Sequence, residues 1–107
     1  MPNPIVFNIT VKLSENEAPG FVKALKYDIL PYCTDGTIIL ASQVNKIHIN
    51  DQEGDETFAI QFTYQSLEVF KDKKLETMSQ FLDGLDEQFK GKYVYFATMM
   101  ELLHLQK

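Results

Sequence analysis

The sequence has very little cysteine and no arginine: Cys33 is the only thiol in 107 residues, and the ten basic side chains are all lysines. A single thiol excludes an intramolecular disulfide and a structural zinc site built on several thiolates. Without guanidinium groups the chain also lacks the planar forks that bind phosphate or carboxylate in a bidentate manner.

Positive charge is scarce as well. The formal net charge is -5 and the pI is about 4.9, which opposes nucleic acid or an anionic membrane as the main partner. No apolar run reaches membrane-spanning length, and the residues from Met1 to Pro4 carry no basic segment followed by a long apolar one. We therefore expect a cytoplasmic protein that binds neither nucleic acid nor membrane.

What the chain does have is enough apolar content for a core. Hydrophobic residues make up 45% and aromatic residues 12% of the sequence, which is typical of a folded globule. The length predicts a single domain over residues 1–107 that buries about two thirds of its unfolded surface.

The order of hydrophobic periods indicates the architecture. Two-residue alternation predicts strands at 5–13, 38–49, 57–64 and 93–103, and helical spacing predicts helices at 21–30 and 67–89. This order, βαββαβ, is that of an α+β, ferredoxin-like fold: a four-stranded antiparallel sheet with two helices on one face. The fold alone assigns no activity, since it hosts many unrelated ones.

Local signals set the ends of these elements. Asn16 is the predicted N-cap of the first helix and Pro31 is expected to end it, so that residues 32–36, with Cys33, form a polar loop. Ser66 is the predicted N-cap of the second helix and Gly91 its stop. The second strand has mixed phase, which a bulge or two wet faces would explain.

The predicted core combines one face of the sheet with a stripe of the long helix. The stripe is Leu75, Met78, Leu82, Leu85 and Phe89. The other predicted core residues are Phe7, Ile9, Val11, Leu25, Ile60 and Phe62.

The last strand is apolar on both faces, whereas a strand covered on one face should be polar on the other. Val94, Phe96, Met100 and Leu102 share one face. A second copy of the chain is the most economical cover for the other face, although single exposed aromatics are common on protein surfaces. The residues predicted to form this dimer interface are Tyr93, Tyr95, Met99 and Leu103.

Several short runs together resemble a known family. They are Asn-Ile-Thr-Val at 8–11, Leu-Pro at 30–31, the strand at 57–62 and Val-Tyr-Phe-Ala-Thr at 94–98. In combination they resemble the DUF4286 proteins, small bacterial proteins of uncharacterised activity. The resemblance implies a ferredoxin-like domain of the dimeric α+β barrel type. Ile29 and Ala97 depart from the family pattern, which usually has histidine and arginine at these positions.

The dimeric α+β barrel also resembles haem-degrading and cofactor-free monooxygenases, which hold a pocket between sheet and helices. Polar residues that could line such a pocket here are Asn8, Gln61, Tyr64 and Tyr95. Haem needs an axial ligand, commonly a helical histidine, but His48 falls on a strand and His104 near the C-terminal end. We therefore expect no cofactor.

Metal and RNA sites are not expected either. The acidic turn 51–55 has its glycine one position too early for an EF-hand loop. The aromatic strand 57–62 is entered through Asp55 and Glu56, where an RNA-recognition domain has basic residues.

The sequence therefore favours a non-catalytic, small-ligand-binding or assembly module that acts as a homodimer. The alternative is a small cofactor-free monooxygenase- or isomerase-like enzyme. An enclosed polar pocket between sheet and helices would favour the enzyme, and a filled interior would favour the module.

Overall fold

The sheet of the protein is antiparallel and four-stranded, as a computed structural model describing residues 3–48 and 54–107 shows. Its order is β2-β3-β1-β4, so β1 and β3 are central and β2 and β4 are edges. The strands are β1 (Ile5–Ser14), β2 (Ile39–Ile47), β3 (Asp55–Tyr64) and β4 (Tyr93–Glu101). The predicted α+β, ferredoxin-like fold is confirmed. Residue 49 of the predicted second strand and residues 50–53 of the predicted turn lie outside the described residues.

Strand β2 contains a bulge, which is one of the two explanations that its mixed phase left open. Ile39 pairs with Tyr64 and Ala41 with Thr63, so Leu40 is an extra residue between them. The bulge shifts the alternation by one position. Ile39 can therefore be buried with the core while the residues after the bulge continue the ladder in the opposite phase.

The first helical segment is longer and less regular than predicted. It consists of α1 (Ala18–Ala24), a π-helical turn (Leu25–Ile29) and α2 (Leu30–Cys33), which follow one another without a break. Its N-cap is Glu17, so the prediction of Asn16 is wrong.

The prediction that Pro31 ends this helix is also wrong. In a regular α-helix the ring of Pro31 would clash with the carbonyl of Tyr27, four residues earlier. The π-helical turn avoids this clash by widening the helix: the Leu30 amide donates to the Leu25 carbonyl, five residues back. Regular bonding then resumes, with the Thr34 amide donating to Leu30, and Cys33 is buried at the end of α2, not exposed in a loop.

Helix α3 spans Leu67–Phe89, as predicted. The Ser66 hydroxyl accepts a hydrogen bond from the Val69 amide at 3.3 Å, which confirms the N-cap. Gly91 adopts a positive φ of 77° just after the helix, as a C-terminal stop requires. Gly84, which weakens the helix locally, allows close approach to the π-helical turn: a Cβ there would lie 3.1 Å from Ile29 Cγ1.

The core lies between the helices and one face of the sheet. Eight predicted core residues are buried, namely Phe7, Ile9, Val11, Leu25, Ile60, Phe62, Leu85 and Phe89. The predicted stripe of α3 is rotated, however. Leu75 is 78% exposed, Leu82 is half-buried, and Phe70, Thr77 and Phe81 are buried instead.

Candidate interaction surface on the open face of the sheet

The two faces of the sheet differ in what covers them. Odd-numbered residues of β1, from Ile5 to Leu13, are buried against the helices, together with the β3 residues Phe58, Ile60, Phe62 and Tyr64 that pair with them. The even-numbered residues point to the opposite face, on which no element of the described chain packs. We call this second surface the open face.

A row of three side-chain amides and one threonine hydroxyl crosses the middle of the open face. Gln43, Gln61, Asn8 and Thr98 are cross-strand neighbours from β2 to β4. Gln43 Nε2 donates to Gln61 Oε1 at 2.8 Å, and Gln61 Nε2 donates to Asn8 Oδ1 at 3.4 Å. We call these four residues the amide row.

The predicted site residues Asn8 and Gln61 are therefore brought together. Asn8 also donates to Thr10 Oγ1 at 2.9 Å, and both Asn8 and Thr10 are only 9% exposed. These bonds hold the Asn8 amide in one orientation, because each of its polar atoms has a partner on the sheet.

The open face becomes apolar toward β4. Val94 and Phe96 are 65% and 63% exposed, and Met100 is exposed as well. They flank Thr98, the β4 member of the amide row, so a polar centre is bordered by large apolar side chains. Such exposure of several neighbouring apolar side chains marks an interaction surface.

A shallow depression of about 360 Å³ crosses one end of the open face. It extends from β2 to β4 and is walled mainly by apolar atoms. We call it the trough. Its lining residues are Thr10, Lys12, Ile47, Thr57, Val94, Tyr95 and Phe96.

Charge is nearly absent from the open face. Over the strand residues 5–14, 39–47, 55–64 and 93–101, the register places only Lys12 and Asp55 as charged side chains on this face. They form an ion pair with each other, 3.7 Å from Nζ to Oδ2, at one end of the sheet. The face is therefore electrically neutral although the whole chain carries a charge of -5.

The interior between sheet and helices is filled by aromatic rings in contact with one another. Phe7 and Tyr64 each pack on Phe70 with ring centroids 5.2 Å apart, and Phe62 meets Phe81 at 5.8 Å. In the described part of the chain, every buried side-chain nitrogen or oxygen has a hydrogen-bond partner. The described part of this interior therefore contains no unpaired polar side chain that a ligand would satisfy.

Tyr64, predicted as a pocket residue, belongs to this interior. Its side chain is fully buried, and its hydroxyl donates to Thr77 Oγ1. Burial raises the pKa of the phenol, so it stays neutral at physiological pH. Tyr64 therefore lies on the opposite side of the sheet from Asn8 and Gln61, and the predicted pocket set is not one site.

The predicted phase of the last strand is reversed. Leu13 pairs with Tyr93, Val11 with Tyr95 and Phe7 with Met99, which places all three β4 residues on the helix side. Because α3 does not extend over this edge strand, Tyr95 and Met99 remain 44% and 54% exposed there.

Of the four residues of the predicted dimer interface, Tyr93 is hydrogen-bonded to helix α3. Its hydroxyl donates to Asp86 Oδ1 at 2.7 Å, and burial together with the Asp86 carboxylate raises its pKa. Leu103 follows the strand and is 75% exposed.

Several residues of the open face described above were absent from the predicted site, namely Thr10, Gln43, Val94, Phe96, Thr98 and Met100. Register was the missing information, since Gln43 joins the amide row only because a bulge shifts β2. For Phe96 the two-sided apolar pattern of β4 contained the signal but left its face undetermined.

Cys33 has no reactive character. It is buried, and burial raises the pKa of its thiol to about 11, so the thiolate is a minor species at neutral pH. His48 and His104 are exposed and lie outside the strands and helices. Within residues 3–48 and 54–107, no three His, Cys, Asp or Glu side chains are grouped to hold a metal ion, and none of the helices described there could cross a membrane.

Solved structures of similar fold have very different sequences. A dimeric ferredoxin-like protein from an uncultured marine organism is 15% identical, with coverage of 97% of this chain and 98% of that one and a TM-score of 0.69. A variant of SnoaB, a cofactor-independent oxygenase from Streptomyces nogalater, is 8% identical, with 96% coverage of both chains and a TM-score of 0.63.

A third protein is of the NIPSNAP family, with unknown function, from Agrobacterium tumefaciens. It is 11% identical, with coverage of 94% of this chain and 88% of that one and a TM-score of 0.64. At such identities the likeness concerns the fold alone. None of the curated proteins matches the sequence. Residues 4–103 match a family described as a domain of unknown function, DUF4286.

Proposed function

Because the chain belongs to the DUF4286 family, whose description assigns no activity, we propose a function from the open face itself: the protein is a non-catalytic assembly module that forms a homodimer through this face. The observation that carries the proposal is the near absence of charge over a whole sheet face that also exposes Val94, Phe96 and Met100.

Depletion of charge is what distinguishes the centre of an interface from ordinary surface. Charged residues make up 23% of this chain, yet the face carries only the Lys12–Asp55 pair among the described strand residues. Large apolar side chains and amides that can both donate and accept complete the pattern of a buried core with polar contacts.

A second copy is the occupant that this face fits. Closed two-fold symmetry is the commonest form of oligomer, and it requires a surface that complements itself. Amides satisfy this requirement, since each has a donor and an acceptor, and so do apolar side chains. The similar marine protein is described as dimeric.

The filled interior argues against the enzyme alternative. A cofactor-free oxygenase needs space for substrate, but the region between sheet and helices holds the packed rings of Phe62, Tyr64, Phe70 and Phe81. The likeness to SnoaB extends to the fold, and the polar residues that would have lined a common pocket are split between two sides of the sheet.

The test uses two positions of β4 that are three residues apart and lie on opposite faces of the sheet. Phe96→Asp places a carboxylate on the open face, where a dimer would bury it without a partner. Met99→Asp is the matched control, since Met99 is exposed to a similar degree on the helix side. Light scattering at micromolar concentration should show dimers for the unmodified chain and Met99→Asp, and monomers for Phe96→Asp.

Circular dichroism would verify that each variant keeps its fold. An unmodified chain that is monomeric at these concentrations would overturn the proposal. So would the reverse result, with Met99→Asp monomeric and Phe96→Asp dimeric. That result would support the predicted interface of Tyr93, Tyr95, Met99 and Leu103.

A further inference from the structure

We infer that the two-fold axis of this dimer runs along the amide row, across the strands, so that β4 of one copy packs on β4 of the other. The inference rests on the proposed homodimer and adds its geometry. When two sheets stack through their open faces with their strands roughly aligned, the two-fold axis can take two directions. An axis across the strands places each strand over the same strand of the partner, and an axis along the strands places β4 over β2.

The uneven distribution of apolar side chains selects between these arrangements. Val94, Phe96 and Met100 all belong to β4, whereas the open face of β2 presents Gln43 and Asn45 in its centre. Stacking β4 on β4 buries apolar surface against apolar surface. Stacking β4 on β2 would press Phe96 on amides and remove their water without replacing its hydrogen bonds.

The amide row meets its counterpart under either axis, and the two axes differ in what the neighbours of the row meet. Its β4 member, Thr98, is flanked by Phe96 on one side and Met100 on the other. A two-fold axis along the row places the row of one copy on the row of the other, where amides can bond to amides. Phe96 of one copy then lies against Met100 of its partner, and this contact occurs twice.

The same axis provides a cover for the trough. It places the start of one β4, with Val94 and Phe96, opposite the end of the other, so that Met100 and the residues after the strand come over the trough. Leu103 is 75% exposed and Leu105 68% exposed within a single copy. The Leu102 amide donates to the Pro4 carbonyl at 2.9 Å, which fixes where this segment leaves the sheet.

The contact of these leucines with the trough matters because the sheet faces alone bury little area. Four strands about 4.8 Å apart and about 30 Å long present a face of about 600 Å². Two such faces hide about 1,200 Å², the lower limit of stable interfaces. The leucines that follow β4 add apolar area where they cover the trough of the partner. Of the two axes, only the axis across the strands places the end of β4 from one copy over the trough of the other.

Cross-linking between engineered cysteines distinguishes the two axes. Thr98→Cys and Gln43→Cys introduce thiols at opposite ends of the amide row, in separate chains. Since stacked sheets lie about 10 Å apart, a short bismaleimide is the suitable reagent. The unmodified chain is the control, because its Cys33 is buried.

With the axis along the amide row, Thr98→Cys alone should give covalent dimers, Gln43→Cys alone should do so as well, and mixing the two should create no additional mixed product. Cross-linking only in the mixture would show the axis along the strands and overturn the inference, while the proposed homodimer would stand.

A chain that light scattering shows to be dimeric but that cross-links in neither case would place the interface elsewhere and overturn the inference too. A monomer would overturn the inference and the proposed function together.

Discussion

At the scale of single residues, Asp35 organises the turn between α2 and β2. Its Oδ1 accepts hydrogen bonds from the amides of Thr37, Ile38 and Ile39, at 2.9, 2.8 and 3.0 Å. These bonds, that from Thr37 first, lower the pKa of the carboxyl group, because they favour its charged form. The turn therefore depends on an ionised side chain.

This dependence predicts how stability changes with pH. A carboxyl group whose pKa is lowered by folding stabilises the folded state above its unfolded pKa of about 3.9, and the stabilisation disappears as pH falls through the folded value. Asp35→Asn should therefore be less stable than the unmodified chain at pH 7, and the difference should shrink below about pH 4.

Urea unfolding at a series of pH values measures the difference between Asp35→Asn and the unmodified chain. Asparagine keeps one acceptor oxygen, so the variant isolates the contribution of charge. A difference that stays constant between pH 7 and pH 3 would contradict this role.

At the scale of elements, α3 shows which face of a helix carries the fold. Phe81 is fully buried and meets Phe62 edge-on at 5.8 Å, whereas Leu75 on the same helix is 78% exposed. Phe81→Ala should lower the free energy of unfolding by about 3–5 kcal/mol, since it removes a buried ring and leaves a cavity. Leu75→Ala should change it by about 0.5 kcal/mol or less.

Chemical denaturation of the two variants beside the unmodified chain measures both effects. The half-buried Leu82 should give a loss between those of Phe81 and Leu75 when replaced by alanine. A larger loss at Leu75 than at Phe81 would show that the helix packs through the predicted stripe instead.

The sequence allowed good prediction where one physical rule dominates. The bounds of α3 follow from the Ser66 cap and the Gly91 stop, and β1 and β3 follow from strict alternation. The π-helical turn was not predictable, because proline normally ends a helix and only the packed structure shows a wider turn accommodating Pro31. The phase of β4 was not predictable either, since alternation locates a face only when its two sides differ in polarity.

The site was predictable to the same limited extent. Alternation placed Asn8 away from the apolar face of β1, and Gln61 opposes it in register. Tyr64 lies three positions after Gln61 on β3, and residues an odd number of positions apart in a strand point to opposite faces. The alternation therefore already excluded a single pocket that contains both Tyr64 and Asn8.

At the scale of the whole molecule, charge is segregated. Most of the acidic residues that the structure describes lie on helices or between elements, while the open face is neutral. Self-repulsion therefore acts on the outside of the proposed dimer and not across its interface. We expect the melting temperature to rise with protein concentration, because association stabilises the folded chain by mass action.

Thermal unfolding followed at several concentrations tests this expectation. Phe96→Asp is the informative comparison, since its melting temperature should be independent of concentration. A dependence of equal size in both chains would show that association does not use the open face.

The register of β1 has a consequence for the time course of folding. β1 is central in the sheet, but its partners on one side are far along the chain: Leu13 pairs with Tyr93 and Ile5 with Glu101. At synthesis rates of about 5–20 residues per second, β1 is made about 4–20 seconds before β4. During that interval the nascent chain can pair β1 with β3 and β3 with β2, while the other edge of β1, a mostly buried strand in the folded protein, stays unpaired. Contacts of such long range also slow folding, so we expect the interval before β4 emerges to be when the nascent chain is most exposed to aggregation and most dependent on chaperones.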